Sequence, residues 1–173
     1  MSYVELLAKH HDRASFDCGK EPLNHFLHQQ AKQNANRHLG VTHVVVEEPA
    51  DTQIQGYFTL VTRTVESISI PSKKKLPQGP IGVILLGRLA VDLKFQGQQL
   101  GQRMLLRAMA EVKRAAGSIG IFALVLDAID DEAKKWYLHL DFGFRELPDN
   151  PERLFVPVSF IEQLDLGPMT SRL

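Results

Sequence analysis

Residues 83–112 read VILLGRLAVDLKFQGQQLGQRMLLRAMAEV, and this stretch decides the fold. The apolar segments Val83–Leu86 and Leu89–Val91 have the composition of a strand that is buried on both faces. Asp92 and a short polar turn with two glycines follow, and from Leu100 onward apolar residues recur at helical spacing. The sequence therefore predicts a strand, a glycine-containing turn and a helix.

A strand, turn and helix of this kind form an anion-binding site. Backbone N–H groups in the first helical turn have no partner within the helix, and the helix dipole adds partial positive charge there. The turn has neither the GxxxxGK[ST] pattern of a Walker loop nor the GxGxxG pattern of a dinucleotide fingerprint. An anion site of another type is therefore expected.

The composition predicts one domain spanning residues 1–173, because this length with 44% hydrophobic residues suits one core and is short for two. Twenty basic residues balance twenty acidic ones, so a nucleic-acid partner would have to bind a local patch. Cys18 is the only cysteine, which excludes an intramolecular disulfide and a zinc–cysteine cluster. Histidines adjacent in sequence, such as His10 and His11, rarely bind one metal ion without further ligands, so no metal is expected.

The chain has no signal-peptide h-region and no apolar run of about 18 residues. We therefore expect neither secretion nor a membrane span, and the simplest compartment is the cytoplasm.

Outside the central stretch, the pattern predicts further strands and two helices. Residues 1–20 are expected to be irregular, an amphipathic helix to run from Pro22 to Asn36, and the tail from Gly167 to be frayed. Asp130 or Asp131 is expected to cap a helix that carries Trp136 and Tyr137. The predicted additional strands are Val41–Glu47, Tyr57–Ser69, Ile121–Leu126 and Leu154–Val158. This order indicates a mixed α/β sheet with helices on both faces.

The turn itself resembles the pyrophosphate-binding loop of the GNAT acetyltransferases, written (Q/R)xxGx(G/A). The matching spacing is Gln96-x-x-Gln99-x-Gly101, directly after a strand that ends LAVD. The fourth position, normally glycine, is Gln99 here. If that position requires a positive φ, a non-glycine residue costs about 1 kcal/mol.

Three further segments resemble one branch of that family, the acetyltransferase toxins of type II toxin–antitoxin modules. They are FDCGKEPLNHFL at 16–27, LGRLAVD at 86–92 and LPDNPERLFVPV at 147–158. The segment WYLHLDFGF at 136–144 resembles the family's aromatic–tyrosine helix, with two residues more between tyrosine and glycine than usual. The resemblance covers roughly residues 10–165 and implies the GNAT acyl-CoA N-acyltransferase fold.

The resemblance also implies transfer of acetyl from acetyl-CoA to a primary amine, with defined roles for some residues. Main-chain groups of the strand would pair with the pantetheine arm and polarise the thioester; these residues are Leu89, Ala90 and Val91. The loop and first helical turn would hold the diphosphate; these residues are Gln96, Gly97, Gln98, Gln99, Leu100, Gly101 and Arg103. Tyr137 would be the general acid that protonates the departing thiolate, since a phenol with a pKa of about 10 is protonated at neutral pH.

Several of these residues also have structural interpretations. Tyr137 lies on the apolar face of its helix, where most tyrosines are core residues. Arg88 lies inside an apolar strand and is expected either to pair with Asp92 or Asp127 or to face the substrate. Asp92 suits a turn cap better than a general base.

Relatives in this branch acetylate the α-amine of aminoacyl-tRNA and so block translation, and the resemblance implies the same substrate here. The candidate RNA-contacting residues are Arg63, Lys73, Lys74, Lys75, Lys32 and Arg37. The lysine-containing loop is otherwise a solvated connector. The resemblance also implies a ribbon-helix-helix antitoxin and a homodimer. The alternatives are an acetyltransferase for a small amine or a protein N-terminus, and an inactive module that binds CoA or a partner.

Overall fold

The computed structural model describes residues 1–173, apart from the side chain of Ile68. Seven strands form one mixed sheet in the order β1-β2-β3-β4-β5-β7-β6. Pairing is antiparallel from β1 to β3, parallel between β4 and β5, and antiparallel among β5, β7 and β6. The strands are β1 Tyr3–Leu6, β2 Val41–Val46, β3 Gly56–Glu66, β4 Pro80–Val91, β5 Ala123–Asp127, β6 Arg145–Leu147 and β7 Asn150–Pro157. The predicted mixed α/β sheet is confirmed.

Five α-helices accompany the sheet: α1 Glu21–His25, α2 Ala31–Asn36, α3 Leu100–Ala116, α4 Asp131–His139 and α5 Val158–Ile161. A π-helical turn, Phe26–Gln30, joins α1 to α2 without a break in the chain's helical path. Short 3-10 turns cover Ser67–Ser69 and Leu93–Phe95. No helix in the described part of the chain has the length and apolar character needed to cross a lipid bilayer.

The chain groups into two compact units. The first comprises Met1–Val61, Gly87–Ala108 and Gly167–Leu173. Its core forms where the π-helical turn packs on one face of β2 and β3. The buried members of that core include Phe16, Phe26, Leu27, Ala31, Val44, Val46, Tyr57 and Ala90. Apolar residues two apart on each strand share a face, which is why this set alternates along β2.

The second unit comprises Thr62–Leu86 and Met109–Leu166. Parallel β4 and β5 pair from Val83 with Ala123 to Leu86 with Leu126, and β7 pairs with the other edge of β5. Four consecutive residues of β5, Ala123–Leu126, are buried, as expected of a strand with neighbours on both sides and packing on both faces. Val83, Val125 and Phe155 belong to its core cluster.

Two predictions about the chain ends were wrong. The segment expected to be irregular contains β1, which pairs with β2 from Tyr3 opposite Val46 to Leu6 opposite His43. The tail is not frayed either: Val4 N–H donates to the Ser171 carbonyl at 2.7 Å. Both errors have one cause, since a four-residue strand has too little periodicity to recognise, and the tail's partner is that same strand.

Other boundaries differ from the prediction for local reasons. β3 ends at Glu66, and β4 runs without interruption through Gly87 and Arg88. The short strand β6 was missed because only two residues, Pro148 and Asp149, separate it from β7. Asp130 is the cap of α4, as predicted, and its carboxylate accepts from Ala133 N–H at 2.8 Å.

Candidate active site

The strand–turn–helix pattern folds as predicted, and its turn has an unusual backbone. Gln99 has a φ of 61° and Gly97 a φ of 77°. The position that is normally glycine therefore does require the left-handed region, and Gln99 occupies it at a cost of about 1 kcal/mol. A Cβ added at Gly97 would meet no described atom within 4 Å, so the turn is open on that side.

Asp92 fixes the entrance to this turn. Its buried carboxylate accepts from Lys94 N–H and from Asp17 N–H, each at 3.0 Å. The main chain adds a bond of 2.8 Å from Leu93 N–H to the Asp17 carbonyl. Both carboxylate oxygens thus accept from backbone donors, so Asp92 caps the turn, as expected.

Gln96, within the turn, also connects the turn to the N-terminal segment. Its side-chain amide donates to the Val91 carbonyl at 2.8 Å and to the Cys18 carbonyl at 3.1 Å. The Gln96 side chain therefore ties the turn to β4 and to the N-terminal segment.

The N-terminal FDCG segment is itself held by a side-chain network, which the sequence analysis did not foresee. Asn24 accepts from Cys18 N–H at 2.9 Å and donates to Asp17 Oδ1 at 2.9 Å. Bonds to Asp17 from Gly19 N–H and from Asn24 lower the pKa of Asp17. The only available signal was that FDCG and LAVD occur together in one family, and the structure supplies the reason: one segment supports the other.

Helix α3 begins at the end of the turn. The Gln99 carbonyl accepts from Arg103 N–H at 3.2 Å, which closes the first helical bond. The amides of Leu100, Gly101 and Gln102 therefore have no partner within the helix and carry the positive end of its dipole. The structure thus brings the predicted strand residues, the turn and the exposed Arg103 into one continuous strand–turn–helix. This arrangement can hold a diphosphate.

Arg88 has an environment that the sequence analysis left open. Its guanidinium carbon lies 3.6 Å from the centroid of the Phe26 ring. Neither proposed carboxylate pairs with it: Asp92 accepts from backbone amides, and Asp127 forms two bonds with Arg153, at 2.7 and 2.8 Å. Burial lowers the pKa of Arg88.

Tyr137, in the second unit, is buried on α4 between two aromatic rings. Its ring centroid lies 4.9 Å from that of Trp136 and 5.7 Å from that of Phe144, both in edge-on geometry. Burial raises the pKa of the phenol, which keeps it protonated at neutral pH. No described residue forms a hydrogen bond with its hydroxyl.

The residues predicted to contact RNA are all exposed, in two groups. Lys32 and Arg37 lie on and just after α2, in the first unit. Arg63 on β3 and the three consecutive lysines of the following loop, Lys73–Lys75, belong to the second unit. The structure therefore groups Arg63 with the lysine loop and keeps Lys32 with Arg37.

Glu5, His10 and His11 come together with ligand atoms within 4.8 Å of one another. His11 is nevertheless unsuited to a metal in this conformation. Its Nδ1 accepts from Ala8 N–H at 2.9 Å, so in the neutral ring the proton is on Nε2, which faces Glu5 at 3.2 Å. A metal-bound histidine normally donates through its second nitrogen, and here that nitrogen accepts.

Comparisons with known proteins agree with this geometry. No protein-family model matches the chain. The chain is 36% identical over 147 residues to a tRNA-acetylating toxin of Mycobacterium tuberculosis (strain ATCC 25618 / H37Rv), covering 84% of this chain and 85% of the relative.

Solved structures are also similar. A tyrosine-to-phenylalanine mutant of KacT superposes with a TM-score of 0.86 at 33% identity, covering 94% of this chain and 98% of KacT. AtaT complexed with acetyl-methionyl-tRNAfMet superposes with a TM-score of 0.84 at 32% identity, with the same two coverages. AtaT has also been solved with acetyl-CoA and with the C-terminus of its antitoxin AtaR. The chain therefore belongs to the GNAT acetyltransferase toxins of toxin–antitoxin modules.

Proposed function

We propose that this protein transfers acetyl from acetyl-CoA to the α-amine of aminoacyl-tRNA and thereby inhibits translation. The observation that carries this proposal is the open turn between β4 and α3, where the first amides of α3 have no partner within the helix. The tRNA-acetylating relative and the AtaT complex with acetyl-methionyl-tRNAfMet support the choice of substrate. The AtaT complex with acetyl-CoA supports the choice of donor.

In this proposal the cofactor is bound mainly by main-chain groups. The amides of Gly97–Gly101 and the N-terminal turn of α3 hold the diphosphate, and Arg103 adds a positive charge. The strand end Leu89–Val91 pairs with the pantetheine arm and polarises the thioester carbonyl. The bonds from Asp92 and Gln96 keep strand and turn in fixed geometry, so little ordering is required when the cofactor binds.

The transfer itself needs one proton donor. The neutral α-amine attacks the thioester carbonyl carbon, the carbon–sulfur bond breaks, and the thiolate takes the phenolic proton of Tyr137. The amide nitrogen releases its extra proton to solvent, and the phenolate is reprotonated from solvent. An α-amine with a pKa of about 8 is already partly neutral at pH 7, so a strong general base is not required.

The RNA would be bound through its phosphates. The proposed contacts are Arg63, Lys73, Lys74, Lys75, Lys32 and Arg37. Six such contacts predict that log(kcat/KM) falls with log[salt] with a slope of about −4 to −5, whereas a substrate without phosphates should show almost no slope. Replacing the three loop lysines with glutamine should make the slope less steep by about 2 to 3.

We further propose that residues 1–173 act as one catalytic domain in the cytoplasm and form a homodimer. The antitoxin would be a ribbon-helix-helix protein, and the complex of AtaT with the C-terminus of AtaR supports an antitoxin whose end segment binds the toxin. Sedimentation at micromolar concentration tests the dimer, and a monomer throughout would contradict it.

Mass spectrometry of charged tRNA incubated with the protein and acetyl-CoA tests the proposed function. We expect a gain of one acetyl group on the aminoacyl nitrogen of at least one aminoacyl-tRNA. Acetylation of free amines or protein N-termini at equal or higher kcat/KM would support the alternative substrates. Binding of acetyl-CoA without turnover on any of these substrates would indicate an inactive module.

A further inference from the structure

Arg88 lies in β4, next to the strand residues assigned to the cofactor, and the described part of the chain provides no carboxylate for it. It is half-buried, and burial lowers its pKa. Removing an arginine from water without an anionic partner is costly, so such a residue is normally paired. An anionic partner for Arg88 would therefore come from a bound ligand.

The surroundings of Arg88 are aromatic and polar rather than acidic. Phe26 lies under the guanidinium, and Tyr57 stacks on Phe26 with centroids 6.2 Å apart. The Tyr57 hydroxyl donates to the Leu23 carbonyl at 2.6 Å, so it is already paired. No acidic side chain among the described residues forms an ion pair with Arg88.

A second polar group without a partner, the Thr59 hydroxyl, lies next to Gly87, the residue before Arg88. The Thr59 side chain is buried, and its Oγ1 has no hydrogen-bond partner among the described residues. A Cβ added at Gly87 would lie 2.9 Å from that oxygen. A buried hydroxyl without a partner among the described residues therefore lies beside Gly87.

The stacking of Arg88 determines what kind of anion it can bind. A guanidinium lying over an aromatic ring is held in one plane, while its N–H groups point outward in that plane. That fork matches two oxygens of a phosphate or carboxylate. An aminoacyl ester has no free carboxylate, so on the proposed substrate the matching group is a phosphodiester.

The position of Arg88 in β4 indicates which phosphodiester of the RNA it could contact. Arg88 directly precedes Leu89, the first of the residues assigned to the thioester. An RNA anion bound beside the acetyl group must belong to the end of the chain that carries the amino acid.

We propose that Arg88 binds a backbone phosphate at the 3′ end of the acceptor RNA and thereby positions the aminoacyl amine for attack on the thioester. This inference rests on the proposed function and adds a positioning residue to it. Arg88 contacts the substrate's backbone and takes no part in proton transfer.

The test compares three acceptors that carry the same amino acid. This amino acid is the one whose aminoacyl-tRNA the wild-type protein acetylates best. They are the aminoacyl-tRNA, the aminoacylated CCA trinucleotide, and aminoacyl-adenosine, which has no phosphate. Each is measured with the wild-type protein and with Arg88→Gln, Arg88→Lys and Arg153→Gln. The last is a matched control, because Arg153 already has its partner within the chain.

We expect Arg88→Gln to lower kcat/KM about 10- to 100-fold on the tRNA and the trinucleotide, and less than about twofold on aminoacyl-adenosine. Arg88→Lys keeps the charge but loses the two-oxygen geometry, so it should recover part of the loss. Arg153→Gln should not discriminate among the three acceptors. Thermal unfolding of each variant establishes whether it is folded, and Arg88→Lys serves as the test if Arg88→Gln is not.

Two results would overturn the inference while leaving the proposed function intact: an equal loss on all three acceptors, or no loss on any of them. A raised Kd for acetyl-CoA in Arg88→Gln would also overturn it, because it would assign the arginine to the cofactor. A wild-type protein that acetylates none of the three acceptors would overturn the proposed function itself, and the inference with it.

Discussion

Arg88 and Arg153 are both strand arginines, yet their environments differ in one decisive respect. Arg153 in β7 makes two bonds to Asp127, and this pairing raises its pKa. Arg88 in β4 lies over Phe26, and burial lowers its pKa. Arg153 has a carboxylate partner within the chain, whereas Arg88 has none among the described residues and can bind an anionic ligand. The comparison separates a residue that serves the fold from one available for function.

Two buried tyrosines show the same contrast. The Tyr57 hydroxyl donates to a main-chain carbonyl at 2.6 Å, whereas the Tyr137 hydroxyl has no partner among the described residues. Burial raises the pKa of both phenols, so both are protonated at neutral pH. Burial and protonation therefore do not distinguish the two, and the presence of a partner does.

The largest expected effect is that of Tyr137→Phe. If the free hydroxyl protonates the thiolate, its removal should lower kcat by about 100- to 10,000-fold with little change in the Kd for acetyl-CoA. The melting temperature should stay within about 2 °C of the wild-type value, because no protein hydrogen bond is lost. Steady-state kinetics, calorimetric titration and thermal unfolding measure these three quantities. An unchanged kcat would remove Tyr137 from the mechanism.

Tyr57→Phe should mainly lower stability and not the rate, and its effect should be smaller than that of Tyr137→Phe. It removes a buried hydrogen bond, which we expect to lower the free energy of unfolding by about 1 kcal/mol and the melting temperature by about 2–4 °C. The rate should fall far less than in Tyr137→Phe. Thermal and urea unfolding measure the stability. A variant as stable as wild type but as inactive as Tyr137→Phe would reverse the two assignments.

The smallest expected effect is that of Arg153→Gln. The Asp127 side chain is 49% exposed and that of Arg153 29%, so solvent screens the pair. We expect a loss of about 0.5 kcal/mol and no change in kcat/KM. Asp127→Asn should cost about the same, and the double variant should cost no more than either single one. A loss of activity without a loss of stability would show that Arg153, too, acts on a ligand.

Much of the site was predictable because it is local. The strand, turn and helix lie in one continuous stretch from Pro80 to Ala116, and its apolar spacing and turn residues specify the three elements. The positive φ at Gln99 was predicted conditionally from its place in the turn and is confirmed. The cap at Asp130 follows from its position just before a helical pattern.

Other features depend on partners far away in the chain. The bond from Gln96 to the Cys18 carbonyl spans 78 positions, and that from Asp17 to Asp92 spans 75. A sequence pattern records which residue types are present, but it does not record which of them meet. The π-helical turn Phe26–Gln30 was predicted as part of one continuous helix.

By itself, the sequence determined the central strand, turn and helix and the later helical pattern that carries Tyr137, because periodicity and turn chemistry act over a few residues. Only the tertiary structure decided which charged and hydroxyl groups are paired. Arg88 and Arg153 are the same residue type in strand segments, and Asp127 meets one of them through the pairing of β5 with β7. Three-dimensional packing decides whether a side chain has a hydrogen-bond or ion-pair partner, and therefore whether it is available to bind a ligand.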